Sequence, residues 1–143
     1  MDYKKSLEDL EKALVDLAED NKNTPILVEG EKDIAALRQL CINGDIIILN
    51  AGVSIPNFCD WISRNYEKII ILTDWDRKGG QLCRAIKKNL MGRVGLDLTY
   101  RKIFSKNTTI RTVEGLPSWL TTIREKLNKL QSVSYTHLTL PTN

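Results

Sequence analysis

Two groups of carboxylates, each following a short apolar run, are the residues of this chain whose spacing could support chemistry. Glu29 ends the run that begins at Ile26, and Asp74 and Asp76 follow the run Ile69–Thr73. Runs of this kind are typical of buried parallel strands, and their carboxyl ends meet at one edge of a sheet. Carboxylate oxygens suit a hard divalent cation, so the sequence predicts an Mg²⁺ site here, with Mn²⁺ as an alternative. Glu29 would bind the metal or act as a general acid/base.

Glycines and cations lie among these carboxylates, which indicates phosphate contacts. Gly79 frees the backbone to approach a phosphate at the start of the next helix, and Gly30 would do the same after the first strand. Lys32 and Arg77 lie inside the motifs and suit phosphate oxygens. The alternative is that an Asp such as Asp76 only caps a helix. The candidate phosphate- and nucleic-acid-binding residues are Gly30, Lys32, Arg77, Lys78, Gly79, Arg84, Lys87 and Lys88.

Charge is divided unevenly along the chain. Residues 1–76 hold 8 basic and 15 acidic side chains, a net charge of −7, and residues 77–143 hold 13 and 3, a net charge of +10. Within residues 77–111, ten basic side chains are opposed only by Asp97. Such a basic half indicates a polyanionic partner such as nucleic acid, and a solvated helix face is the alternative. The basic stretch begins inside the second acidic motif, which favours nucleic acid.

Composition predicts an ordinary globular protein. The 143 residues are 42% hydrophobic and 27% charged, and the chain has neither a membrane-length apolar run nor a secretory signal pattern, so we expect a cytoplasmic protein. Three widely spaced cysteines fit neither a disulfide framework nor a zinc site, and we expect them to be buried. The one histidine, His137, lies in residues 132–143, an uncharged stretch that we predict to be a non-native or disordered tail. Histidine-dependent hydrolases and His-ligated zinc are therefore excluded.

Alternating strands and helices must position these residues, and they predict parallel, right-handed crossovers. The expected helices are Ser6–Leu17, with Ser6 as its N-cap, then Lys32–Cys41, Pro56–Tyr66, Gly80–Met91, a short one over Asp97–Lys106, and Trp119–Leu130. The expected strands are Ile26–Glu29, Ile46–Leu49, Ile69–Thr73 and Thr109–Val113. Trp61 and Trp119 are expected in the core, while Trp75 would pack on the sheet edge or stack on a base. The predicted fold is α/β, a central parallel sheet of about four strands flanked by helices on both faces.

The two acidic motifs resemble those of the Toprim domain, a metal-binding catalytic fold found in topoisomerases, bacterial primases and certain nucleases. Its Glu-Gly at the end of strand one is matched by Glu29 and Gly30, and its Asp-x-Asp at the end of strand three by Asp74 and Asp76. Gly79 extends the second motif to the Asp-x-Asp-x-x-Gly of primases. The whole chain is similar to small stand-alone Toprim proteins of archaea.

The resemblance implies a Rossmann-like Toprim domain over residues 1–131, with its core at residues 25–91. It also implies that Asp74 and Asp76 hold Mg²⁺ and that Glu29 acts as an acid/base or a further ligand.

The second motif departs from one branch of the family. Type II topoisomerases commonly have another Asp two residues after the pair, where this chain has Lys78, which argues against their mode of metal binding. A compact nuclease, like the bacterial ribonuclease that matures 5S ribosomal RNA, is the closest functional analogue. We therefore expect Mg²⁺-dependent phosphodiester chemistry on RNA or DNA, with a protein partner as an additional possibility. The alternatives are a non-catalytic metal-binding nucleic-acid or ribonucleoprotein adaptor, and chemistry on a small phosphorylated metabolite.

Overall fold

Short runs of isoleucine, leucine and valine form most of a parallel sheet in the computed structural model of the chain. The structure describes residues 1–49 and 51–139, with side chains as far as residue 130. The elements in chain order are α1 (Tyr3–Asp20), β1 (Ile26–Val28), α2 (Glu31–Gln39), β2 (Ile46–Ile48), α3 (Ile55–Asn65), β3 (Lys68–Ile71), α4 (Arg77–Leu90), β4 (Gly95–Asp97), α5 (Thr99–Asn107) and α6 (Leu116–Thr139). The strands lie in the order β2-β1-β3-β4, and each neighbouring pair is parallel.

Helices cover both faces of the sheet, because successive side chains of each buried strand point to opposite faces. Ile26, Val28 and Ile70 point into one apolar cluster with α1, α2, α5 and α6. Leu27 and Ile69 point into a second cluster, with α3 and α4. The predicted α/β fold, with a central parallel sheet flanked on both faces, is therefore confirmed.

The register of the central strands brings the two acidic motifs together. In β1, Ile26 is paired with Ile70 of β3, and the ladder continues beyond β3, where the N–H of Leu72 donates to the carbonyl of Leu27 at 2.8 Å. Both strands therefore end at the same level, and the loops that follow them lie side by side at one edge of the sheet.

The prediction of the fourth strand is wrong. Gly95–Asp97 pairs with β3 and forms one of the two edge strands, whereas residues 109–113 have no strand structure. Residues 109–113 instead run along the loop that follows β3, where the carbonyl of Arg111 accepts a hydrogen bond from the N–H of Trp75 at 2.9 Å. The β-branched pattern of this stretch thus reflects packing at the sheet's carboxyl edge.

Some local predictions are also wrong. Asp2, not Ser6, caps α1, since its side chain accepts from the N–H of Lys5 while Ser6 is buried inside the helix. Trp61 is 41% exposed rather than buried in the core, and its ring packs against those of Phe58 and Tyr66. Cys41 is exposed in the turn after α2, whereas the other two cysteines are buried as expected.

The C-terminal stretch is described only in part. The backbone of α6 continues through residue 139, while residues 140–143 and the side chains beyond residue 130 lie outside the described part of the chain. That residues 132–143 are non-native, and that residues 1–131 form a single domain, stay predictions. No helix in the described part is long and apolar enough to cross a membrane.

Candidate functional site

Glu29 and Asp74 are in direct contact at the carboxyl ends of β1 and β3. The backbone N–H of Asp74 donates to Oε2 of Glu29 at 2.7 Å, although the two residues are 45 positions apart in the chain. This contact follows from the pairing of the strands, which places both loop starts at one edge. The structure therefore brings together the first two of the three predicted metal ligands.

Asp74 is held in place by segments from both sides of the sheet edge. Its Oδ1 accepts from the N–H of Val113 at 2.9 Å, and its carbonyl accepts from Nη2 of Arg101 at 2.8 Å. The pKa of the Asp74 carboxyl is raised to about 6, mainly by burial and also by the nearby charges of Glu29, Asp33 and Asp76, while the Val113 hydrogen bond opposes the rise. A bound cation would favour the ionised form of this carboxyl.

Asp76 caps α4. Its Oδ1 accepts from the N–H of Gly79 at 2.7 Å, which satisfies one of the free donors of the helix start. The capping role that the sequence left open is thus observed, and it occupies one carboxylate oxygen. The other oxygen has no hydrogen-bond partner among the described residues.

Asp33 and Glu114 add two acidic side chains to this edge. Asp33 is buried at the start of α2 and accepts from the N–H of Gly30 at 3.1 Å. Burial raises the pKa of the Asp33 carboxyl, backbone N–H groups of Gly30 and Glu29 oppose that rise, and the charge of Glu114 adds to it. The segment that contains Val113 and Glu114 therefore lies across both acidic motifs.

The donor chemistry of this edge fits a hard divalent cation. Glu29, Asp74 and Asp76 each have one oxygen held by a backbone N–H, and none of them forms an ion pair within the described residues. Carboxylates clustered in this way repel one another unless a cation neutralises them. As oriented, no three acidic, Cys or His side chains of the described part are arranged to hold one metal ion. The cause is visible in the contacts, because each carboxylate is turned toward a different N–H.

Gly79 is required by a close approach within the protein. A Cβ on this buried residue would lie 1.9 Å from the carbonyl oxygen of Asp74, so only glycine lets α4 start against the loop. Its N–H also donates a hydrogen bond to Oδ1 of Asp76. By contrast, a Cβ on Gly30 would meet nothing within 4 Å, so this position is open to a ligand.

The predicted basic residues are distributed over two surfaces. The carboxylates Glu29, Asp74 and Asp76 at the carboxyl ends of β1 and β3 are called the acidic edge. Lys32, Arg77 and Lys78 are exposed in the first turns of α2 and α4, beside this edge. Arg84 and Lys87 lie farther along α4 and line a pocket shared with α5. Lys88 is exposed and does not line that pocket.

Trp75, between the two aspartates, packs against the protein. Its Nε1 donates to the carbonyl of Ile110 at 2.7 Å, and its ring lies 6.0 Å from that of Phe104. Of the two roles that the sequence left open, packing on the sheet edge is the one observed.

Comparison with known proteins agrees with this geometry. A model of the Toprim domain matches residues 24–107. This chain belongs to the Toprim family. A UPF0292 protein of Thermoplasma volcanium is 46% identical over 99 residues, which are 68% of this chain and 83% of that protein. A UPF0292 protein of Methanosarcina acetivorans is 33% identical over 129 residues, 87% of this chain and 88% of that protein. A solved structure, a putative protein from Aquifex aeolicus, has a TM-score of 0.63 and 27% identity, covering 72% of this chain and 94% of that one.

The family resemblance seen in the motifs is thus confirmed. Toprim domains generally bind Mg²⁺ and associate with nucleic acids, so membership of the family indicates a magnesium-dependent function related to nucleic acids.

Two residues at this Toprim site were missed by sequence reasoning. Arg101 donates from Nε to the carbonyl of Thr73 at 3.1 Å and from Nη2 to that of Asp74. Nothing local distinguishes this arginine from its basic neighbours, because its contacts are 27 and 28 residues away. Glu114 follows the residue whose N–H binds Asp74, and its sequence signal is only a carboxylate before a Gly-Leu-Pro turn.

Proposed function

We propose that this Toprim protein is a small Mg²⁺-dependent nuclease that cleaves phosphodiester bonds of RNA or DNA. The contact between Glu29 and the backbone of Asp74 carries the proposal. It joins a carboxylate with one free oxygen to a partly buried Asp whose pKa is raised mainly by burial and also by its acidic neighbours. Carboxylates arranged at the ends of adjacent parallel strands suit cation-assisted phosphoryl chemistry.

The side chains at the sheet edge take distinct roles in this proposal. Asp74 and Asp76 hold the cation through the oxygens that the backbone leaves free. When bound, Mg²⁺ supplies Lewis-acid polarisation of a phosphate oxygen. Glu29 keeps Oε2 on the Asp74 N–H, which fixes its orientation, and offers Oε1 as the proton acceptor for an attacking water.

The exposed cations beside the acidic edge orient the strand. Lys32, Arg77 and Lys78 carry positive charge at the starts of two helices that face the same edge, and helix N-termini favour anions. In this arrangement they contact the phosphates that flank the scissile one. Gly30 leaves space for close approach of the backbone of the strand.

The second candidate is a metal-binding nucleic-acid adaptor without turnover. The exposed cations Lys32, Arg77 and Lys78, which form no ion pair with the described residues, favour it. In an adaptor the basic residues determine affinity, and Glu29 contributes little.

The experiment is cleavage of structured RNA and of single-stranded DNA with Mg²⁺ or Mn²⁺, using the wild type and the double variant Asp74→Asn/Asp76→Asn. The matched control is Asp9→Asn/Asp16→Asn, which removes the same charge from exposed positions of α1. We expect metal-dependent cleavage by the wild type and the control, and loss on the order of 10³-fold in the site variant. Equal cleavage by the site variant and the control would refute the assignment.

A further inference from the structure

A pocket of about 360 Å³ lies between α4 and α5, next to the acidic edge. Four cationic side chains line it, together with Gly80, Cys83, Leu98 and Ser105. The lining cations are Arg84 and Lys87 from α4, and Arg101 and Lys102 from α5. No acidic side chain lines the pocket.

The cations of this pocket have no carboxylate partners. The ion pairs of the described residues involve Lys22, Arg93 and Arg124, and none involves a side chain of the pocket. The nearest acid in sequence, Asp97, uses its Oδ1 to accept from the N–H of Thr99. The positive charge of the pocket is therefore uncompensated by the protein.

The guanidinium groups of Arg84 and Arg101 both lie over Gly80. A Cβ at that position would lie 3.6 Å from Nη1 of Arg84 and 3.8 Å from Nη2 of Arg101. Two like charges on the same side of one glycine repel each other, and an anion bound between them would be attracted by both. A planar guanidinium fork matches a phosphate in this geometry better than an ammonium does.

Arg101 joins the pocket to the acidic edge. It is partly buried, and its two hydrogen bonds to the carbonyls of Thr73 and Asp74 fix its position while leaving other N–H donors free. A phosphate bound in the pocket would thus lie one side chain away from the backbone of Asp74.

We propose that this pocket, defined by Arg84, Lys87, Arg101 and Lys102, binds a phosphate group of the nucleic-acid strand and anchors it beside the acidic edge. The inference rests on the proposed function for the identity of the ligand as nucleic acid. The phosphate is either an internal phosphodiester or the 5′-terminal phosphate of the strand, and both present the same anionic oxygens to the guanidinium groups.

The test measures affinity for a 3′-fluorescein-labelled single-stranded RNA by fluorescence anisotropy, in EDTA and across a NaCl series, so that cleavage does not interfere. The pocket variant is Arg84→Gln/Lys87→Gln, at two exposed positions. The matched control is Lys4→Gln/Lys12→Gln, which removes the same charge from exposed positions on α1. Lys102→Gln tests the opposite wall independently.

We expect the pocket variant to bind at least tenfold more weakly than the wild type at low salt, and the control to stay within about twofold. The slope of log affinity against log salt should become shallower by about 1.4, because each phosphate contact to a single strand contributes about 0.7. Lys102→Gln should reduce that slope by about half as much. Equal weakening in the pocket variant and the control, or an unchanged slope, would overturn the proposal.

Two further arms identify the phosphate. RNAs with a 5′-phosphate and a 5′-hydroxyl are compared, and a preference for the 5′-phosphate that disappears in the pocket variant assigns the terminal group. Equal binding of both RNAs, lost equally in the pocket variant, assigns an internal phosphodiester. If micromolar pyrophosphate displaced the RNA and the affinity hardly changed with salt, the ligand of the pocket would be a small phosphorylated molecule. That result would overturn the proposal.

These results separate the pocket from the proposed nuclease activity. If the wild type never cleaves RNA or DNA but the pocket variant loses affinity, the nuclease proposal falls and the phosphate site stands. If the wild type cleaves RNA or DNA but the pocket variant binds RNA as tightly as the control does, the nuclease proposal stands and the phosphate site falls.

Discussion

The acidic edge and the basic pocket lie side by side, yet their side chains differ in hydrogen bonding and in exposure to solvent. Glu29, Asp74 and Asp76 are each hydrogen-bonded to a backbone N–H and partly shielded from solvent. Arg84 and Lys87 are exposed and form no ion pair with the described residues. The carboxylates are therefore fixed in orientation, as the proposed catalysis requires, whereas the exposed cations of the pocket can adapt to the proposed flexible strand.

The acidic edge is costly for the fold, and the basic pocket is not. Burial and neighbouring charges raise the pKa of Asp74 to about 6, so keeping it ionised at neutral pH destabilises the folded protein. The pocket's lysines and Arg84 remain hydrated, so their cost is small. Arg101 belongs to both regions, through its hydrogen bonds to the loop after β3.

The largest expected effect is on turnover by the acidic edge alone. Glu29→Gln keeps an oxygen that can accept the Asp74 N–H but removes the proton acceptor, so the cleavage rate should fall by about 10²–10⁴ with affinity for RNA nearly unchanged. Single-turnover cleavage and anisotropy measure the two quantities. The control is Glu8→Gln, at an exposed position of α1. If Glu29→Gln changed neither the cleavage rate nor the affinity for RNA relative to Glu8→Gln, the adaptor would be favoured.

The next effect falls on the close approach between the start of α4 and the loop that follows β3. Gly79→Ala would place a methyl group 1.9 Å from the Asp74 carbonyl, so α4 and the loop must move apart. We expect a loss of about 2–3 kcal/mol in the free energy of unfolding, as for overpacked cores, measured by urea denaturation. Gly30→Ala, where a Cβ meets nothing within 4 Å, should cost under about 1 kcal/mol. Equal losses in both variants would show that the close approach is not what requires glycine at position 79.

A smaller effect should reveal the link between the regions. Arg101→Lys keeps a positive charge in the pocket but loses the paired hydrogen bonds to Thr73 and Asp74. We expect RNA affinity within about threefold of the wild type and a cleavage rate about tenfold lower, roughly 1.4 kcal/mol in the activation free energy. A pure loss of affinity at constant rate would show that Arg101 acts only in binding.

The smallest effect concerns stability and its dependence on pH. Because the pKa of Asp74 is higher in the folded protein than in the unfolded chain, the ionised carboxyl lowers stability progressively between about pH 4 and pH 6, and the penalty is complete above that range. Asp74→Asn should therefore stabilise the protein by about 1 kcal/mol at pH 7 in EDTA and by little at pH 4. Thermal melts at both pH values measure this, with Asp9→Asn as the exposed control.

Thermal melts in saturating Mg²⁺ test the Asp74→Asn variant in a second way. Because a ligand that binds the folded state stabilises it, the wild type should gain thermal stability with Mg²⁺ and Asp74→Asn should not. A destabilised Asp74→Asn protein at pH 7 in EDTA would contradict the view that this edge carries unneutralised charge.

Sequence reasoning located the acidic edge because strand periodicity determines where parallel strands end. Glu29, Asp74 and Asp76 follow buried runs, and the register of β1 and β3 brings the ends of these runs together. The edge strand escaped notice because Gly95–Asp97 is only three residues long and contains neither a β-branched residue nor an aromatic one.

The basic pocket could be predicted only in composition. Its wall on α5 depends on where that helix packs, and Arg101 contributes through contacts with residues far away in the chain. A basic side chain that is tethered and one that is solvated look the same in a sequence. The Val113 hydrogen bond to Asp74 likewise required a segment that sequence patterns assigned to a strand.

The most direct test of the division between the two regions is single-turnover cleavage of one RNA in Mg²⁺ at increasing protein concentration. We expect Glu29→Gln to lower the maximal rate and leave the half-saturating concentration unchanged. We expect Arg84→Gln/Lys87→Gln to raise the half-saturating concentration and leave the maximal rate unchanged. If both variants changed the same parameter, the acidic edge and the basic pocket would not be separate catalytic and anchoring regions.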